Sequence, residues 1–337
     1  MSRISLNDSD MNNTNDMNNT NYPNKRIRTR KPFFATVLCL VGMAAGPTTA
    51  PAQTVARIVF EAPVTVQTSK HSSTTYNQIL SMNPDGSGVV QLTKTSATSQ
   101  RPKWSPGQAY ISFCRAGKLW VMQAQGEANG GHSFAVAPTD GGGADWSPDS
   151  STLVFQGTDG GLHLVSVNPG AGTAGTPVLL RSGYWYNPSW SPDGTKIAAN
   201  GSDDGNSDII AVFNAATGAE LPTYAGSSNP SLYPCFAPQW NPEGSYLAFS
   251  GPVFVTSTSK KGVKTTTFYQ EILLATPDLS VVTQVTHLDS FSNFPTWSPD
   301  GSTLAFNSGN NSIYTMPLGS SIVTLIRSPG TQLDWNP

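Results

Sequence analysis

Charge is scarce in this chain of 337 residues. Only 12% of them are charged, and 19 lysines and arginines meet 21 aspartates and glutamates, for a net charge of -2. That balance supplies no basic footprint for nucleic acid. Histidine is scarcer still, with four in all. His71, His132, His163 and His287 fall in unrelated parts of the chain, so they give no converging metal-ligand set. No His-Glu-x-x-His and no Gly-x-Ser-x-Gly occurs, which disfavours a zincin or a serine hydrolase of the elbow type. No cofactor, metal or catalytic residue is therefore assigned. Of the three cysteines, Cys39 lies early in the chain, whereas Cys114 and Cys235 fall in segments expected on nearly opposite sides of the fold. Such a pair is too far apart to bridge and reads as two idle thiols.

Glycine (31) and proline (26) are plentiful instead. They punctuate short stretches of period-two hydrophobicity, the pattern of many brief strands joined by turns. One stretch organises the rest: Trp297-Ser298-Pro299-Asp300-Gly301, followed by Leu304-Ala305-Phe306. Serine, proline and glycine at those places suit a type I turn between two strands. The tryptophan and its turn recur at Trp104, Trp146, Trp190, Trp240 and, at the end, Trp335. A repeat of roughly 40 to 50 residues made only of strands is that of propeller blades.

The repeat resembles that of TolB-type β-propellers, close to Pro-x-Trp-Ser-Pro-Asp-Gly-x-x-Ile-Ala-Phe. Pro102, Pro188, Pro238 and Pro295 keep the leading proline. Ala144 and Leu333 replace it, Gln108 and Ser150 stand for the glycine, and Asn241 and Asn336 for the serine. The resemblance spans nearly everything after residue 55 and implies an all-β, six-bladed propeller of four-stranded antiparallel blades. It says little about function, since one fold serves many tasks. The α/β domain that precedes the propeller of TolB itself is not expected, so the partners of TolB are not carried over.

Residues 1–52 read as a leader. An Asn-rich polar segment, expected to be disordered, precedes the basic run Lys25-Arg26-Ile27-Arg28-Thr29-Arg30-Lys31. An apolar run over 33–45 and Ala50-Pro51-Ala52 follow, as in a secretory signal peptide. The run is shorter than the roughly 20 residues that span a bilayer. A periplasmic or secreted location follows, with 53–337 as the mature propeller and no membrane span after cleavage.

Within each repeat the tryptophan segment is the inner strand A, and B, C and D follow outward. The first copy begins at strand B, Arg57-Ile58-Val59-Phe60, while a spare strand A ends the chain at Gln332-Leu333-Asp334-Trp335. Both ends should thus complete one blade and close the ring, which hides edge strands. The tight A–B turns then share one face, which reads as structural. The other face carries two long B–C hairpins, tipped by Lys70 and Lys260, and aromatic D–A connections holding Tyr184, Trp185, Tyr186, Tyr233, Phe236, Phe291 and Phe294. Exposed aromatics favour recognition. Against this, the hairpins could be decoration and the aromatics could cap the channel. The expectation is a monomeric, non-catalytic scaffold binding a protein or peptide on this face. The alternative is a carbohydrate-binding protein, hydrolase or lyase using the channel mouth, where Asp145 and Asp334 precede tryptophans and could hold a cation or merely line a wet channel.

Overall fold

The computed structural model describes residues 57–225, 234–288, 290–309 and 311–336. The expected leader over 1–52 and Tyr233 lie outside them. In chain order the strands are β1 (Ile58–Ser69), β2 (Ser72–Met82) and β3 (Val90–Gln91); β4 (Ser99–Trp104), β5 (Tyr110–Arg115), β6 (Lys118–Gln123) and β7 (Ser133–Pro138); β8 (Ala144–Trp146), β9 (Thr152–Gln156), β10 (Leu162–Asn168), β11 (Thr173–Ala174) and β12 (Val178–Arg181). Then come β13 (Tyr184–Trp190), β14 (Lys196–Ser202), β15 (Ile209–Asn214) and β16 (Glu220–Tyr224); β17 (Phe236–Trp240), β18 (Leu247–Thr258), β19 (Lys264–Ala275) and β20 (Val282–Gln284); β21 (Ser292–Trp297), β22 (Thr303–Ser308), β23 (Ser312–Pro317), β24 (Thr324–Arg327) and β25 (Thr331–Trp335). They form six antiparallel sheets. Blade 1 runs β25-β1-β2-β3, and blades 2 to 6 begin at β4, β8, β13, β17 and β21. The outer strand of blade 3 is split into β11 and β12, both paired with β10.

The turn sequence explains the repeat. Ser147 Oγ donates to Asp149 Oδ1 (2.5 Å) and accepts the amide of Thr152 (2.9 Å), while Asp149 accepts the amide of Ser151 (3.0 Å). Ser191 with Asp193 and Ser298 with Asp300 repeat this. These bonds satisfy turn amides that have no ladder partner, and they hold the Asp300 carboxyl down at about 2. Asn241 takes over the serine's role, its Oδ1 accepting the Tyr246 amide at 2.8 Å.

Blade 1 joins the two ends of the ring. Ile58 pairs with Trp335 and Val59 with Asp334. The core lies between blades as six apolar clusters. Val59, Ile79 and Leu92 of blade 1, for example, meet Trp104, Ile111, Phe113 and Met122 of blade 2. Five of the six repeat tryptophans are buried, and Trp190 is partly so.

Side chains just before the tryptophans join neighbouring inner strands. Asp334 Oδ2 accepts the Trp104 amide (2.8 Å), Asp145 Oδ2 that of Trp190 (2.7 Å), Ser189 Oγ that of Trp240 (3.2 Å) and Thr296 Oγ1 that of Trp335 (3.2 Å). Three residues before each tryptophan the backbone has positive φ: Arg101, Gly143, Asn187, Ala237, Phe294 and Gln332. In blades 2, 4, 5 and 6 this residue sits in a bulge that shifts strand A against strand B. Strand-B side chains of the preceding blade accept several of these amides: Glu61 that of Arg101 (3.3 Å), Asn200 that of Ala237 (3.2 Å) and Asn307 that of Gln332 (2.9 Å).

Candidate functional site

The two long hairpins are continuous extensions of blades 1 and 5, which flank blade 6. In blade 5, β18 and β19 stay paired from Leu247 with Ala275 out to Thr258 with Lys264. In blade 1 the pairing reaches Ser69 with Ser72. Only the base of each hairpin is held by the blade: the last pairing of β18 with β17 is at Ser250, and β20 reaches β19 only at residues 273–275. Threonines keep the outer parts paired, as in Thr256–Thr266 (2.9 Å) and Thr65–Thr75 (3.1 Å). Lys70 and Lys260 are exposed at the tips.

The aromatic residues separate sharply in environment. Tyr184 is 47% exposed, and its ring lies over Gly160 and Gly205, where a Cβ would come within 2.8 Å. Phe291 is 57% exposed and packs edge-on against Phe268 at 5.7 Å, with Phe254 beyond it at 6.3 Å. Tyr186, Phe236 and Phe294 are half-buried, and Phe294 lines the channel beside Arg101 and Gln332. Trp185 corrects the expectation. It is 1% exposed, stacks edge-on with Phe213 at 4.8 Å and donates its indole N–H to Ser182 (3.0 Å). Its cross-strand partner Gly201 has no side chain to compete for the space. Trp185 is core between blades 3 and 4, not a surface anchor.

Sequence reasoning missed Phe254 and Phe268. The signal was present: aligning the two hairpins puts Phe254 where the first has Thr65, and the pairing sets Phe254 opposite Phe268.

The channel is narrow on this face. Arg101, Asn187, Phe294 and Gln332 surround a space of only about 50 Å³. Arg101 donates to Asn187 Oδ1. Glu61 beside it is 3% exposed, and burial pushes its carboxyl up to about 7 against the Arg101 amide and charge, which lower it. Deeper in, Lys103 of blade 2 reaches across the ring to Gln239 of blade 5 and bonds Asp334 at 3.1 Å. Beyond this crossing a vestibule of about 320 Å³ opens among the A–B turns, walled by the repeat tryptophans and by Pro106, Pro148, Pro192, Pro242 and Pro299. Burial raises Asp145 there to about 6, opposed by Lys103 and the Trp190 amide. Among the described residues, no group of three or more histidines, cysteines or acidic residues is arranged to hold a metal. No helix among them is long and apolar enough to cross a membrane.

No family model matches the sequence, and no curated protein matches it either. Solved structures do match in fold. A putative TolB from Agrobacterium tumefaciens superposes with a TM-score of 0.57 at 18% identity, covering 81% of this chain and 88% of that one. TolB from Acinetobacter baumannii gives 0.59 at 14% identity, covering 86% and 69%. At these identities the likeness is one of architecture, and it agrees with the repeat: the fold of this chain is a TolB-like six-bladed β-propeller.

Proposed function

We propose that the chain is an exported, non-catalytic scaffold that binds a protein or peptide through the face carrying the hairpins and the aromatic loops. The observation behind this reading is the company kept by Phe291. It is a large, exposed aromatic, seated against a ribbon that leaves the body of the blade and carries Phe254, Val255 and Val263 in the open. Exposed apolar side chains gathered in one place mark interaction surfaces. The channel offers less to a partner on this side, since Lys103 and Gln239 meet across it. Export rests on the basic run, the short apolar core and Ala50-Pro51-Ala52.

The test is site-specific photocrosslinking from residue 291 in the native host, repeated with Phe254→Ala and with the turn variants Asp193→Ala and Asp300→Ala. A crosslink lost with Phe254→Ala and kept with the turn variants supports the reading. The reverse pattern rejects it. The vestibule favours a second reading: tryptophans ringing the Asp145 and Asp334 carboxylates suit a small polar ligand such as a sugar. A soluble oligosaccharide that protects the vestibule tryptophans from quenching would favour that reading.

A further inference from the structure

The outer half of the blade 5 hairpin carries cations with no acid among them. Lys260, Lys261 and Lys264 are all exposed, and no aspartate or glutamate occurs between residues 252 and 270. Three cations of the ring body, by contrast, are held by acids: Lys103 by Asp334, Arg115 by Glu127, and Arg181 by Asp203 and Glu220. The register fixes which side chains share a face. Phe254 lies opposite Phe268, Thr256 opposite Thr266 and Thr258 opposite Lys264, so Lys264, Thr266 and Phe268 line one face of β19 at every second residue. The edge of β19 already receives another segment at its base: Phe291 makes a parallel bridge to Gln270, directly next to this row. Along Lys264–Thr267 no strand other than β18 pairs with β19 among the described residues.

We infer that the edge of β19 accepts an extended acidic segment of a partner protein as an added strand, with a carboxylate beside Lys264 and an apolar side chain, four residues away, beside Phe268 and Phe291. This rests on the proposed binding face and names what sits on it. Added strands are held by backbone bonds and selected by alternate side chains. Same-face neighbours on adjacent strands are close enough for an opposite-charge pair and an aromatic contact to form together. A membrane surface fits less well, because the phenyl rings lie toward the base of the ribbon and the lysines toward its tip.

The mature protein is titrated by fluorescence anisotropy with a labelled octapeptide of threonine and valine bearing phenylalanine at its second and glutamate at its sixth position. A scrambled peptide and one with lysine at the sixth position serve as comparisons. Saturable binding of the first alone is expected, weakened at least tenfold by Lys264→Glu. The lysine peptide should then prefer the Lys264→Glu protein. Equal binding of all three peptides, no binding above the scrambled one, or indifference to Lys264→Glu overturns the inference. Binding to phosphatidylglycerol vesicles through the same lysines, without peptide binding, also overturns it. A variant with residues 254–268 replaced by an Asn-Gly turn, which keeps Val253 opposite Tyr269, separates the two levels: if the peptide fails but the photocrosslink from residue 291 disappears with the hairpin, the face is right and the occupant wrong. If the crosslink persists, the face itself is wrong.

Discussion

Arg57 and Asn336 grip each other from opposite ends of the ring. The Arg57 amide donates to Asn336 Oδ1 at 2.6 Å, across a sequence separation of 279, and the Asn336 amide donates to the Arg57 carbonyl at 2.9 Å. The five other A–B turns make the same two bonds within one continuous stretch, as Ser147 does with Thr152. A turn that is chemically intact but covalently open therefore seals blade 1. Asn336→Ala should lower stability by about 1 kcal/mol, the usual net worth of such a bond. Deleting residues 331–337 should abolish soluble, cooperatively melting protein. A deletion variant with an unchanged melting temperature would contradict ring closure.

Glu61 predicts an unusual pH response. Its folded value near 7 lies above the ordinary 4.5, because burial penalises the carboxylate. The protonated acid is the form the fold prefers. Its contribution is full below about pH 4.5 and is lost as the pH rises through 7. The loss comes to about 3 kcal/mol for a shift of this size. Glu61→Gln should raise the melting temperature at pH 8, leave it nearly unchanged at pH 4.5, and flatten the profile between.

Lys103→Met should act in the opposite direction, lowering stability, through a different group. Lys103 is the foremost influence keeping the half-buried Asp145 carboxyl from rising further, and it is the ion-pair partner of Asp334. Removing it leaves two carboxylates in the channel without their cation, at a cost on the order of 3 kcal/mol. The deficit should be larger at pH 7.5 than at pH 5, where Asp145 is protonated. Chemical denaturation at the two pH values measures this, and an equal deficit would mean the pair is not electrostatically coupled.

Trp185→Ala should fail as a binding variant and succeed as a folding one. Emptying so large a buried site typically costs about 3–5 kcal/mol. Phe291→Ala, at the surface, should leave the melting temperature within about a degree and weaken partner capture roughly thirtyfold if it is an anchor. Thermal melts beside crosslinking yields tell the two apart.

The architecture was legible because each blade repeats its own instruction: a tryptophan, a turn whose side chains bind its amides, and a short alternating strand. Strand order, closure by Gln332–Trp335 and the two hairpins follow from counting those units. The site was less legible. Tyr184, Trp185 and Tyr186 are alike in composition, and only the sheet decides that the middle one faces Phe213 while Tyr184 faces solvent. The bulge at Asn187 shifts the pairing just beyond them, and it depends on a positive φ that asparagine tolerates but does not announce. The Phe254–Phe268–Phe291 row was hidden for a related reason. Its members come from three separate segments and meet only through register. Lys103 reaching Gln239 joins opposite blades, a distance no local pattern reports.

The joining of β25 to β1 also sets a clock. Ribosomes add about 5–20 residues each second, so blade 1 waits many seconds for its innermost strand after its other strands have emerged. Until then Ile58, Val59 and Phe60 have no inner neighbour, and the ring is a curved, unfinished row. Blades 2 to 6 are each built from consecutive strands, so only the closure of the ring waits for the last strand to be made.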